Sequence, residues 1–298
     1  MEKFIIIDGN SLLHRTWHAL PKLTTKTGEV VNAVYGFALI FLKILKELKP
    51  DYLVVAFDSK KPTFRHQEFK EYKAKRIKQP EEFYAQISRV KQLLEGFKVK
   101  YLEIPGYEAD DIIGTLCRLI SNFHYPISKI IVSGDLDNLQ LVDEQTKVYT
   151  LKRGITKTVI YDKKTIEEKF GLLPHQLIDF KALCGDPSDN IPGVKGIGEK
   201  TALKLIKKFG SLENLYQNLE KIENEKIKNL LKEQKENAFL SKNLVTIKSN
   251  LKIDFNLEDL KRKEPDKEKV IKFFQTLEFK SLIPRFLSLG KLSSQKLF

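Results

Sequence analysis

The sequence predicts an α/β protein: a mostly parallel sheet with helices on both faces. Two observations carry this expectation. Short runs of strand length, apolar apart from the leading Lys129 of the third, occur at residues 4–7, 52–57 and 129–132, the composition of strands buried on both faces. Between them, residues 38–48, 87–94 and 112–120 carry apolar side chains at helical spacing. Strands alternating with helices form parallel sheets, because each parallel return needs a crossover.

The first run, Phe4-Ile5-Ile6-Ile7, ends at Asp8 and is too short for a signal peptide or a membrane span, so a cytoplasmic protein with no membrane partner is expected. Residues 60–80 break the alternation. They are dense in Lys and Arg, with Phe64, Phe69 and Tyr72 interleaved, and read as an excursion from the sheet. Near Gly171 the character changes. A loop rich in Gly, Pro and Asp at 184–198 leads into Lys-rich helical sequence, which divides the chain into residues 1–171 and 172–298. The net charge of +13 over 298 residues suits a polyanionic partner. Cys117 and Cys184 form no CxxC pair or Cys/His cluster, so neither zinc nor a disulfide framework is indicated, and both read as small buried hydrophobes.

Acids punctuate the strand ends. Asp8 follows the first run, Asp58 the second, Asp135 and Asp137 the third. One Asp after a strand is ordinary turn chemistry. Three strands ending so would bring the acids to one rim of a parallel sheet, where ligands of such sheets bind. Glu108, Asp110 and Asp111 open the helical segment at 112–120, and capping accounts for only one or two of them. Asp186 and Asp189 lie in a turn-rich loop. Carboxylates that converge must be protonated or neutralised by cations. Oxygen donors without His or Cys favour Mg²⁺ or Mn²⁺. Two such ions about 4 Å apart activate a water and stabilise the leaving oxygen of a phosphodiester. An acidic site inside a basic protein suits a phosphate backbone held by Lys and Arg.

The stretches IIIDGNSLLHRTWHAL, AVYGFA, VVAFDSKKPTFRH, YKAKR, GYEADDIIGTL, SGDLDNLQLV and CGDPSDNIPGVKGIGEKTA follow one another between Asp8 and about Ala202. In order and spacing the chain resembles the 5′ nuclease domain of bacterial DNA polymerase I and, more distantly, the flap endonucleases. The resemblance implies a PIN-like (resolvase-like) domain with a helical arch at about 60–90. A C-terminal helix-hairpin-helix domain would follow, its last helices packing back. It implies that Asp8, Asp58, Glu108, Asp110, Asp111, Asp135, Asp137, Asp186 and Asp189 form the metal-binding set. Asp8, Asp58, Glu108 and Asp110 would lie nearer one ion; Asp111, Asp135, Asp137 and Asp189 would lie nearer the other. Leu136 departs from the Lys usual in relatives. Lys73 and Arg76 match positions that reach the scissile phosphate, and with Asp8, Asp58, Glu108 and Asp135 they are the expected catalytic residues. Arg15 and Arg65 are further DNA-contact candidates; Trp17 is either a base-stacking or a core residue. Gly193, Lys195, Gly196, Gly198, Lys200 and Thr201 resemble the hairpin that holds duplex backbone, whose carbonyls in the family also take a monovalent cation such as K⁺.

The activity so implied is 5′-3′ exonuclease and flap endonuclease action on DNA with a 5′ flap or duplex 5′ end, and on RNA primer–DNA hybrids. The chain would act as a monomer beside a separate DNA polymerase, whose motifs do not fit the residues past the hairpin. Two rivals remain: a relative that binds branched DNA without cutting it, and a PIN-type ribonuclease. The complete acid set opposes the first, and the arch and hairpin segments oppose the second. The basic tail from Gly290 departs from the family and carries no role.

Overall fold

The computed structural model describes residues 1–291 other than 124, 154–156 and 255; the C-terminal tail past 291 lies outside the described residues. The chain runs β1 (Glu2–Asp8), α1 (Gly9–Ala19), α2 (Asn32–Leu48), β2 (Tyr52–Phe57), α3 (Phe64–Glu68), α4 (Glu81–Gly96), β3 (Lys100–Glu103), α5 (Ala109–Ser121), β4 (Ile127–Val132), β5 (Thr146–Arg153) and β6 (Lys157–Tyr161). These strands form one sheet in the order β3-β2-β1-β4-β5-β6. All neighbours are parallel except β5 and β6. The three apolar runs became the central strands. β3 and the β5–β6 hairpin were not expected, since β3 is only partly covered and carries no apolar run.

Phe4, Ile5, Ile6 and Ile7 are fully buried because β1 is flanked by strands on both sides and covered on both faces. α1, α2 and α4 cover one face, where Phe37, Phe41 and Phe57 pack. α5 covers the other through Ile112, Ile113 and Leu116. The register pairs Asp8 with Ala56 of β2 and Ile7 with Val132 of β4, so Asp58 and Asp135 emerge at the same rim.

Residues 60–80 are anchored rather than free. Arg65 and Tyr72 are buried, while Lys70, Lys75 and Lys78 are exposed and Ile77 is 87% exposed. The later part of the 60–90 span is core: α4 buries Phe83, Gln86 and Val90. Gln86 Oε1 accepts from the amides of Ala33 and Val34 at 2.8 and 3.1 Å, which satisfies the uncapped start of α2. Trp17 meets Phe83 edge-on at 5.6 Å, a core contact.

α6 (Lys163–Phe170) still packs on the sheet domain, through Ile166 and Phe170. A second, helical core follows, built by α7 (Gln176–Cys184), α8 (Glu199–Phe209), α9 (Leu212–Gln217), α10 (Glu225–Glu233) and α11 (Lys235–Val245). Cys117 is buried, whereas Cys184 is only partly so. The chain then returns to the sheet domain. α12 (Lys267–Thr276) and α13 (Leu282–Lys291) bring Val270, Phe274 and Phe286 into the core that holds Phe41 and Phe97. Among the described residues no helix is long and apolar enough to cross a membrane.

α1 and α2 touch at Gly36, where an added Cβ would lie 2.6 Å from Thr16 Cβ. Thr16 is held in place, because its hydroxyl lies 3.0 Å from the carbonyls of Leu12, Leu13 and Ala33, which share its one proton. Helix propensity alone would make Gly36→Ala stabilising by ~1 kcal/mol. Overpacking here should reverse the sign, lowering Tm by roughly 2–4 °C for each kcal/mol. Thermal unfolding of the variant checks this; a raised Tm would show that the two helices have slack.

Candidate active site

The strand ends are stitched together before any ligand is considered. Asp8 caps α1, accepting from Ser11 N at 2.9 Å, and its other oxygen accepts from Ser133 Oγ at 2.8 Å. The amide of Asp58 donates to Asn10 Oδ1 at 3.0 Å, and Asp58 Oδ1 accepts from Ala109 N, at the start of α5, at 2.8 Å. Gly134 N reaches Ser11 Oγ at 2.8 Å. Asp135 caps the 3₁₀ turn Leu136–Leu141 by accepting from Asp137 N. Asp110 accepts from Asn138 Nδ2 at 2.7 Å. These contacts place Asp8, Asp58, Glu108, Asp110 and Asp135 on the walls of one cavity of ≈ 530 Å³, with Arg15, Lys73 and Arg76 also lining it.

The acids resist each other's ionisation. Burial, then the charge of Asp58, pushes Asp8 up to about 7. Burial and the charges of Asp135, Asp8 and Asp137 hold Asp110 well above the usual carboxylate range. The protein around its carboxylate, then Glu108, raises Asp58, although the residue as a whole is exposed. Burial and Asp135 push Asp137 up to about 6. Glu108 is the exception. Burial would raise it, but the Lys73 ammonium at 2.7 Å and the Arg65 guanidinium at 3.5 Å hold it below its ordinary value. Among the described residues no three His, Cys, Asp or Glu side chains are drawn together tightly enough to hold an ion. The acids face one another across the cavity instead, each tied to its wall by an amide, hydroxyl or cation. Oxygen donors of this kind, crowded and partly buried, are the donor set of a hard divalent cation.

Four further acids of the expected set, Asp111, Asp137, Asp186 and Asp189, lie outside this lining. Lys181 joins Asp137 to Asp186, 2.6 Å from the latter. Asp189 is gripped by Arg76, by Lys73 at 3.8 Å and by the Tyr72 hydroxyl at 3.2 Å. Lys73 adopts φ 55, pinned by its amide donating to Asp189 O at 2.9 Å. Lys181 carries no sequence signal for this role: it is one Lys among many, and only the fold brings it to Asp137. Ser133 and Asn138 are equally silent in the sequence, and Asn10 stands out only by its place after Asp8.

Two expectations are corrected. Asp111 is fully buried and points away from the cavity. Its oxygens accept from Arg65 at 2.7 and 2.8 Å, from Lys248 N at 2.9 Å and from Glu108 N at 3.2 Å, leaving no face for an ion. Arg65, expected on DNA, is the other half of that pair. It is 2% exposed and spends its remaining donors on the carbonyls of Leu244 and Thr246. The pairing is favourable because a buried guanidinium and carboxylate satisfy each other in bidentate geometry.

The hairpin lies between α7 and α8. Gly193 faces inward: an added Cβ would be 2.3 Å from Gly185 N, and its amide donates to Ser241 Oγ. Its smallness thus serves internal packing, not approach to DNA. Gly196 takes φ +99, whereas Gly198 meets nothing within 4 Å and starts α8 without a side-chain cap. Lys195, Gly196, Gly198 and Lys200 are exposed, and Thr201 is half-buried. Gln234 braces the turn, accepting from Lys195 N at 2.7 Å and donating to Lys195 O at 3.0 Å.

Comparison with known proteins gives this arrangement a family. Residues 3–171 match the model of the 5′-3′ exonuclease N-terminal resolvase-like domain, and residues 172–268 match the 5′-3′ exonuclease C-terminal SAM fold. DNA polymerase I of Caldicellulosiruptor bescii is 46% identical over 95% of this chain and 33% of its own length. That of Bacillus subtilis is 43% identical over 95% and 32%. The chain therefore spans about a third of the length of the relatives it matches. In fold it is similar to phage T5 5′-exonuclease with bound zinc, at TM-score 0.70 and 22% identity over 93% of this chain and 98% of that one. It is also similar to the catalytic core of Rad2 in complex with DNA substrate, at TM-score 0.63 and 21% identity over 95% and 92%. With both family models matched in sequence along one sheet domain and one helical domain, the chain belongs to the 5′-3′ exonuclease family of nucleases.

Proposed function

We propose that the protein hydrolyses phosphodiester bonds near the junction of single- and double-stranded DNA, using Mg²⁺ or Mn²⁺ held by Asp8, Asp58, Glu108, Asp110 and Asp135. One observation carries the reading: five acids from four separate segments line a single cavity that Arg15, Lys73 and Arg76 also line. Asp137, Asp186 and Asp189 stand behind this set: Asp189 shares Lys73 with Glu108 and pairs with Arg76, while Asp137, joined to Asp186 by Lys181, acts on Asp110 through its charge. Divalent cations there supply positive charge and the activation of water that phosphodiester hydrolysis needs. The carboxylates orient that charge. Lys73 and Arg76 leave their ion pairs with Glu108 and Asp189 to meet the phosphate, stabilising negative charge as it develops. Arg15 adds a further cationic contact at the cavity.

Residues 1–171 carry the chemistry and 172–298 grip the duplex. The exposed backbone from Gly196 to Lys200 offers the free amides of the α8 N-terminus to a phosphate, a contact that reads backbone and not sequence. A K⁺ at this turn would share the carbonyls of Val194 and Lys195, which already accept from Ile197 N and Gln234. The exposed Lys70, Lys75 and Lys78 track the single strand. Since the relatives are DNA polymerases I, the reading extends to displaced 5′ flaps and RNA primers, removed by a cytoplasmic monomer working beside a DNA polymerase.

A labelled 5′-flap duplex with Mg²⁺ should be cut near the flap junction, faster than single-stranded RNA. Asp135→Ala should lose at least ~10²-fold in rate while still binding the flap, as expected when charge stabilisation in the reaction is lost. Full activity of that variant rejects the catalytic site; binding without any cutting by the wild type favours a DNA-holding protein, and faster RNA cleavage a ribonuclease.

Lys73→Ala should lower kcat by ~10²–10³-fold with a smaller change in KM for DNA. Steady-state kinetics decide, and a pure KM effect would reduce Lys73 to a binding residue.

Asp8 has a folded pKa of about 7, above its unfolded value of 3.8. It therefore stabilises the fold below pH 4 and withdraws that stability as pH rises toward 7. In EDTA, Asp8→Asn should gain Tm relative to wild type as pH goes from 5 to 8, by roughly 2–4 °C for each kcal/mol relieved. Paired melting curves at the two pH values check this, and a difference that stays flat would contradict it.

A further inference from the structure

We infer that Asn138 is a positioning residue that sets the carboxylate of Asp110 for its cation, kept although its amide oxygen is buried without a partner among the described residues. The inference rests on the proposed reading of the acids as cation ligands. Asn138 lies in the turn Leu136–Leu141 and is fully buried. Its Nδ2 donates to Asp110 Oδ1 at 2.7 Å and lies 3.4 Å from Ser133 Oγ. That hydroxyl donates to Asp8 Oδ2 at 2.8 Å and accepts from Asp135 N at 3.0 Å. One amide and one hydroxyl thus hold the carboxylates of Asp110 and Asp8, from two distant parts of the chain, and the backbone amide of Asp135.

The amide oxygen shows what this arrangement costs. Asn138 Oδ1 is buried and has no hydrogen-bond partner among the described residues. An unpaired buried acceptor is destabilising, and a Leu, of the same branched shape though larger, would carry no such penalty. Buried Leu139 beside it shows that the turn accepts apolar side chains. A residue that breaks the local rule for burial points to function when it touches a site. Here it touches Asp110, which faces the charges of Asp135, Asp8 and Asp137. Left free, that carboxylate would turn away from them. The Asn138 N–H holds it, so less rearrangement accompanies cation binding.

The full chain is tested without DNA, by calorimetric titration with Mn²⁺ and by thermal unfolding in EDTA. Asn138→Leu removes the unpaired oxygen and the N–H bond to Asp110 together, effects of opposite sign, so its Tm should stay near that of wild type. Yet it should bind Mn²⁺ roughly ten-fold more weakly, as loss of a group supporting a ligand does. The Mg²⁺ concentration for half-maximal flap cleavage should rise in proportion. At saturating Mg²⁺, kcat and the KM for DNA should stay within about three-fold of wild type, which separates positioning from catalysis. Asn138→Ser, too short to reach Asp110, should show the same weakening and covers the case in which the Leu variant does not fold. Unchanged Mn²⁺ affinity in the variant that folds overturns the inference, as does a lowered Tm for Asn138→Leu with affinity intact. Failure of the wild type to bind Mn²⁺ at all would instead overturn the metal reading itself.

Discussion

Like charges held at one rim of a parallel sheet are the constraint around which this molecule is arranged. The register of β1 with β2 and β4 gives Asp8, Asp58 and Asp135 no choice but to emerge together, and α5 delivers Glu108 and Asp110 to the same place. In a cavity partly shielded from water, such a set repels itself. Two devices contain the repulsion. Backbone amides, hydroxyls and the Asn138 amide bind individual oxygens, as Ser11 and Ser133 do for Asp8. Cationic side chains neutralise the others. Lys73 and Arg76 come from the 60–80 segment, and Lys181 comes from α7.

The cations therefore tie the site to parts of the chain that the sheet does not contain. The buried pair of Arg65 and Asp111 is the firmest of these ties. It joins the base of the basic segment to the start of α5, and through the Leu244 and Thr246 carbonyls to the end of α11. A pair of this kind pays desolvation for its attraction and fixes geometry more than it adds stability. The outcome is a segment rigid at its base and open at its tip, where Ile77 and the neighbouring Lys side chains meet solvent. The same division recurs in the hairpin, where Gly193 is locked against Gly185 and Gly198 is left clear.

Much of the fold was legible because it follows from periodicity. The runs at 4–7, 52–57 and 129–132 are strands buried on both faces, and their apolar continuity has few other readings. β3 and the β5–β6 hairpin were not legible, since edge and half-covered strands alternate weakly. In the site, the five acids lining the cavity were among the nine marked from the sequence. Asp111 and Arg65 were marked as well, and both proved to satisfy each other. Residue type and spacing cannot separate an acid that faces an ion from one that faces a guanidinium, because helix rotation places Asp110 toward the cavity and Asp111 away from it.

By itself the sequence determined the layering, the family and the set of acids from which a site could be built, since these depend on local pattern and on order along the chain. Only the tertiary structure decided which acids share a cavity, which cations hold them and that Ser133 and Asn138 serve them. The reason is physical. Hydrogen bonds and ion pairs between residues tens or a hundred positions apart leave no periodicity behind, and their partners exist only once the sheet has closed.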